Sequence, residues 1–242
     1  ARGGMLKEAA YGFKYIFARP SLLGLQLIFF AGNLFAGIGF TVFAPMILSR
    51  TGNDSLMFGS VQSAGAIASV IGGVLMSAWG GFKRRVHGVL FGWILSGLGM
   101  AIIGLEGGLP VWITGAAIAS LVGPLVNASN QAIWQSKVAP DLQGRVFSAR
   151  RLIAWFTNPI SPILGGLLAD LWLEPAARAN SGLPAAFSWL VGTGEGAGMG
   201  LLIVFCGLAA ALVGAIGYFI PAIYHAEGIL PDHDALAKAE PV

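Results

Sequence analysis

The sequence predicts an all-α polytopic membrane protein with six transmembrane helices. Three observations carry that prediction. Only 10% of the 242 residues are charged, where soluble domains carry about a quarter. The chain is 56% hydrophobic with a mean hydropathy of +0.76. Finally, six stretches of at least 18 residues run almost free of charge, and a bilayer core about 30 Å thick needs about 20 apolar residues as helix. The same figures exclude a disordered chain, which would be polar and charge-rich. The 36 glycines keep no period of three, so collagen is excluded too. Cys206 is the single cysteine, and no Cys/His spacing suits a metal, so neither a disulfide framework nor a metal or other cofactor is expected. A net charge of +3 is too weak to argue for nucleic acid.

Residues 1–21 mix basic and aromatic side chains without an apolar run before a small-residue cleavage site, so they do not read as a signal peptide. Ala9 to Phe17 reads as an amphipathic helix lying at the interface, ended by Arg19-Pro20. The bundle, residues 22–224, follows. Its spans run from Leu22 to Leu48, Leu56 to Trp79, Val86 to Leu105, Leu109 to Trp134, Leu152 to Leu173 and Gly196 to Tyr224. Each is apolar on all sides, the pattern of a membrane helix. Asp170 is the one charged residue inside these limits. Residues 225–242 read as a polar, disordered tail.

Basic residues set the orientation. Twelve of the fourteen fall on one side: Arg2, Lys7, Lys14, Arg19, Lys83, Arg84, Arg85, Lys137, Arg145, Arg150, Arg151 and Lys238. Only Arg50 and Arg178 fall on the other, so the positive-inside rule places both termini in the cytoplasm.

Polar residues sort the helices. Spans one, two, four and five carry Asn, Gln, Ser and Thr, whereas span three has only Ser96 and span six has none. This rhythm predicts two three-helix units, the second inverted relative to the first, each with its third helix outside against lipid. Gly123, Asn127, Asn130, Gln131 and Trp134 recur at helical spacing in span four, just after Pro124, which breaks the hydrogen-bond ladder. Asn158, Pro159, Ser161 and Pro162, followed by Gly165 and Gly166, make a comparable segment in span five. Asn33, Asn127, Asn130, Gln131 and Asn158 are therefore expected to line a substrate path near Pro124, Pro159 and Pro162. Interhelical hydrogen bonding that only holds the bundle together would use the same residue types. Small residues such as Ser69, Gly73 and Ser77, Gly88 and Gly92, and Gly196 and Gly200 are expected to serve close helix packing.

Three segments resemble the major facilitator superfamily. GVLMSAWGGFKRR (Gly73 to Arg85) is similar to its cytoplasmic loop motif. PDLQGRVFSARR (Pro140 to Arg151) resembles the connection between the tenth and eleventh helices of its drug and siderophore exporters. NPISPILGGLLAD (Asn158 to Asp170) is similar to the end of its glycine-proline antiporter signature. The resemblance covers about Glu8 to Tyr224 as helices seven to twelve of a twelve-helix transporter. It implies that an amino-terminal six-helix half is missing, and that residues 1–21 are the end of a central cytoplasmic linker. It further implies a secondary-active exporter of a small amphipathic compound in the cytoplasmic (inner) membrane, with no catalytic residue. Ser77 stands where the motif commonly has aspartate, so that ion-pair gate does not carry over. Arg84, Arg85, Arg145, Arg150 and Arg151 become candidates for cytoplasmic gate contacts, with anchoring to anionic lipid heads as the plainer role. Asp170 sits near the external end and the histidines lie at or beyond span ends, so a proton antiporter on this plan would carry its coupling acid in the other half.

Two other classes of function would need different features. A complete six-helix channel, or a membrane domain served by a separate ATPase, would suit Glu8-Ala9-Ala10 and Gly12, which resemble a permease coupling loop, but no phosphate-binding loop is present. An intramembrane hydrolase would need a nucleophile paired with a base, and no span holds a histidine where a serine could use it.

Overall fold

The computed structural model describes residues 5–233. Arg2, Lys238 and residues 234–242 of the expected tail lie outside that range. The described residues contain helices and no strand, and six helical segments are long and apolar enough to cross a membrane. The protein is an all-α, multi-pass membrane protein.

Helix α1 (Met5–Phe17) precedes the first span, α2 (Pro20–Arg50), with Pro20 at the start of α2, where its missing N–H costs nothing. The second span is α3 (Ser55–Trp79). Asp54 caps it by accepting hydrogen bonds from the backbone N–H of Leu56 and Met57. Gly80 ends it in the left-handed conformation (φ 78°), which a glycine adopts without penalty. The third span is α4 (Arg85–Gly104).

The fourth span is interrupted. Helix α5 (Gly108–Leu121) stops at Val122, and α6 (Gly123–Lys137) begins with Pro124 in its first turn. The fifth span is interrupted at Phe156, between α7 (Pro140–Trp155) and α8 (Thr157–Leu168). It passes through a π-helical turn, Ala169–Leu173, into α9 (Glu174–Arg178). Short helices α10 (Gly182–Ala186) and α11 (Ser188–Val191) lead to the sixth span, α12 (Ala197–Phe219). Two more, α13 (Pro221–Tyr224) and α14 (Ala226–Ile229), follow it.

The main neighbours are α4 with α12, α12 with α2, α3 with α5, α4 with α5 and α6, and α2 with α8. This set is unchanged when spans one, two and three are exchanged with four, five and six.

Spans three and six each keep an exposed apolar face, with Phe91 and Leu98 on α4 and Leu208, Leu212 and Phe219 on α12. They pack on each other and are the most buried of the six, at 56% and 61% against 22% for α3. Glycine is the reason. A Cβ at Gly207 would fall 2.6 Å from the carbonyl oxygen of Gly97, and one at Gly214 would fall 2.7 Å from that of Leu90. The backbones approach closely along these glycines, His87 and Tyr218 meet at 3.4 Å toward one end, and a helix without Asn, Gln, Ser or Thr suits such a contact as well as it suits lipid. Gly88 and Gly92 serve the packing expected of them against Ser129 and Val126 of α6, and Gly196 and Gly200 pack on Arg50. Gly73 does not, and the close approach in α3 falls to Gly72, which lies against Leu121.

Glu174 and Arg50 organise one end of the bundle. The buried Glu174 carboxylate accepts from the N–H of Gly196 (2.7 Å) and Met199 (3.3 Å), capping α12 from the end of span five. Arg50 donates to the carbonyls of Leu105 (3.1 Å) and Val191 (2.7 Å). At the other end, where the basic residues gather, α1 packs on α7, and the Tyr15 hydroxyl donates to the Lys137 carbonyl (3.3 Å). Burial pushes the Tyr15 phenol above its ordinary value.

The expectation of a disordered tail fails for residues 225–233. Glu227 accepts from the Val86 N–H (3.1 Å), and the buried Lys137 ammonium donates to the Glu227 carbonyl and to Asp232 (2.7 Å). A lysine buried at the end of span four needs acceptors, and this segment supplies them.

Candidate functional site

A cavity of about 550 Å³ opens between α2, α4, α6, α7 and α8. Asn33, Asn127, Asn130, Gln131 and Asn158, expected on a substrate path, all line it. Arg150 and Arg151, expected in a gate, line it as well.

The interruptions of spans four and five set this geometry. Gly123 begins α6 at the cavity wall, and Asn127, Asn130 and Gln131 follow on the face one and two turns further. Asn158 and Pro159 lie in the first turn of α8, and Pro162 lies inside it. Gly165 seats α8 on α2, since a Cβ there would come within 3.0 Å of the Ile38 carbonyl oxygen, while Gly166 faces open space. Ser161 donates to the Leu34 carbonyl (3.2 Å), tying the same two helices. Trp134 of the predicted polar stripe turns away from the cavity and is fully buried with Tyr15, Ile16 and Leu22.

The amides are differently engaged. Asn33 donates to the Phe29 carbonyl (2.7 Å) and Asn127 to the Gly123 carbonyl (3.0 Å), each one turn back on its own helix. Among the described residues, the Asn127 and Asn33 side-chain oxygens have no partner, and Asn127 and Asn158 are exposed. Asn130 is 2% exposed and its Oδ1 is buried without a hydrogen-bond partner. Gln131 Oε1 accepts from Arg150 Nη1 (3.0 Å). Gln26 donates to the Arg150 carbonyl (3.2 Å), so α2 and α7 meet at the cavity wall.

The five candidate gate arginines do not gather. Arg84 donates to the Tyr224 carbonyl (3.1 Å) and stands 4.6 Å from the centre of the Tyr224 ring, which joins the start of α4 to α13. Arg85 is exposed. Arg145 lies over Tyr11 of α1 (5.3 Å). Asp170 is exposed in the π-helical turn.

Several wall residues were not singled out from the sequence. Trp93 and Ser96 of α4, Phe29 and Gln26 of α2, and Phe147 and Trp155 of α7 all line the cavity. Trp93 packs edge-on against Phe29 (5.7 Å), and Gly32 leaves the room its ring fills. Its Nε1 is buried without a partner. A tryptophan in an otherwise apolar helix was the available signal, because an indole N–H needs an acceptor when buried.

A second cavity of about 480 Å³ lies between α2, α3, α4 and α5. It shares Ala36, Ser96 and Gly123 with the first and is otherwise mostly apolar, with Phe40, Phe43, Met100 and Ile103 in its wall. The described residues hold no cluster of three metal-ligating side chains.

No protein-family profile matches the chain, and no solved structure matches it. Curated relatives do. It is 31% identical over 107 residues to macrolide efflux protein A of Streptococcus pyogenes, a match covering 43% of this chain and 26% of that protein. It is 29% identical over 97 residues to macrolide efflux protein A of Enterococcus faecalis, covering 39% of this chain and 30% of that protein. The matched part is therefore under a third of either relative's length. The chain is a distant homologue of efflux proteins.

Proposed function

We propose that the chain is the carboxy-terminal six-helix half of a major facilitator superfamily transporter that exports a small amphipathic compound by alternating access. The observation that carries this reading is the cavity, where six amide side chains from three spans meet beside the interruptions at Val122 and Phe156. The exchangeable neighbour pattern supports two inverted three-helix units. Homology to efflux proteins supports the direction of transport. On this reading the cavity faces the amino-terminal half, and rocking of the halves exposes it alternately to either side. The basic end, with both termini, lies in the cytoplasm of a cell whose inner membrane holds the protein. Arg84 and Arg145 then hold cytoplasmic loops. A coupling acid, if protons drive transport, belongs to the other half.

Asn127→Leu and Asn158→Leu, each made in the full-length protein, test the reading. Both variants are expected to insert normally and to lose at least tenfold of the efflux rate, measured as retention of a preloaded substrate in efflux-deficient cells. Unchanged efflux in both would remove the cavity from the transport path.

A further inference from the structure

Among the described residues, Arg150 and Arg151 line the cavity and no Asp or Glu does. Among the described residues neither arginine has a carboxylate within ion-pair distance. Arg150 is half-buried, held by Gln131 Oε1 at 3.0 Å and by the rings of Trp134 and Phe147, 5.2 and 5.6 Å from its Cζ. A guanidinium offers five N–H donors in a rigid planar fork that matches an oxyanion, and one side-chain acceptor leaves most of that fork unclaimed. Removing such a cation from water is costly, and aromatic faces offset only part of the cost.

Two more unmet groups belong to the same wall. The Trp93 side chain, in a residue 7% exposed, has a donor without an acceptor, and Asn130, 2% exposed, has an acceptor without a donor. Buried polar groups are normally paired, and of these two the Trp93 N–H is the one that an anionic acceptor would satisfy. Among the described residues, the adjoining second cavity carries no charged side chain, and Phe40, Phe43, Met100 and Ile103 stand in its wall. A basic, polar chamber thus opens beside an apolar one across Ala36, Ser96 and Gly123.

Building on the reading of this cavity as the substrate path, we propose that it binds an amphipathic organic anion, its oxyanion head on Arg150 and its apolar body in the second cavity. Trp93 Nε1 supplies a further donor in the wall. Arg151 adds positive potential from its exposed position beside Trp155. An amine in the same chamber would meet two like charges in a partly desolvated site and be disfavoured.

The test uses three probes with one apolar body: pyrenebutyrate, pyrenebutanol and pyrenebutylamine. They are titrated into the full-length protein in zwitterionic nanodiscs, with empty nanodiscs as the blank. The carboxylate is expected to bind at least tenfold more tightly than the amine, with the alcohol between them. Arg150→Gln is expected to abolish that preference while leaving the alcohol within twofold, and Arg150→Lys to restore part of it. Trp93→Phe is expected to weaken carboxylate binding about threefold. An amine that binds the native protein as tightly as the carboxylate overturns the proposal, as does a preference that survives Arg150→Gln. The native protein's order of affinities decides the matter even if an Arg150 variant fails to fold. If none of the three probes binds the native protein, the reading of the cavity as a substrate path falls as well.

Discussion

The back and the front of this bundle are both built from spans apolar enough to cross a membrane, and they solve opposite problems. At the back, α4 and α12 bring their backbones together through Gly97, Gly207 and Gly214, with His87 and Tyr218 in contact (3.4 Å) toward one end. At the front, spans four and five are interrupted, keep their amides and leave a cavity of about 550 Å³. A membrane protein places its strength where helices touch backbone to backbone, because lipid supplies no hydrophobic drive between them. Room for chemistry is left where prolines and amides prevent that touch.

Four measurements can break or sharpen the contrast. The largest effect is expected at the back. Gly207→Leu forces a side chain against the backbone of Ala101 and Gly97, and no folded protein is expected by size-exclusion chromatography in detergent. Glu174→Ala leaves the Gly196 and Met199 amides without their cap and is expected to cost about 1–2 kcal/mol, read as a lowered unfolding temperature. At the front, Gly123→Ala meets nothing within 4 Å and is expected to change stability by no more than about 1 kcal/mol. A loss there as large as that of Gly207→Leu would erase the distinction between the two faces.

The smallest effect concerns pH. A hydrogen bond from Lys137 holds the Asp232 carboxyl below its ordinary value of 3.8. A depressed carboxylate stabilises the fold above that ordinary value, and its contribution disappears as pH falls through the lowered one. Protease cleavage within residues 225–233 is therefore expected to stay constant from neutral pH down to about 4 and to rise in stronger acid. Asp232→Asn is expected to show the raised cleavage at every pH, with a difference of at most about 1 kcal/mol because the carboxylate is largely exposed.

Hydropathy located the six spans to within a few residues, except that span five extends well beyond its apolar part: Pro140–Arg178 where Leu152 to Leu173 was read. The extra residues hold Arg150 and Arg151, whose charge marked them as a loop although they lie on a continuing helix that faces the cavity. The break in span four was legible because Pro124 removes a donor at a fixed place. The contact between spans three and six was not, since an apolar face reads alike whether it meets lipid or another glycine-rich helix. Glu174 was missed because its value lies in the α12 amides it caps, and those are 22 and 25 residues away in sequence. The amides of spans one, four and five were legible as a group, because polar residues in lipid must find either a partner or water.

The segment after span six has a consequence for anyone who shortens the gene. A stop codon after Ile220 removes no residue of α12. It would nonetheless strip the Lys137 ammonium, in a side chain only 4% exposed, of the Glu227 carbonyl and the Asp232 carboxylate. It would also take from Val86 the acceptor that Glu227 gives it at the start of α4. A reporter fused beyond residue 233 leaves those contacts whole, whereas a truncation that trims only apparent overhang unfastens two membrane spans at once.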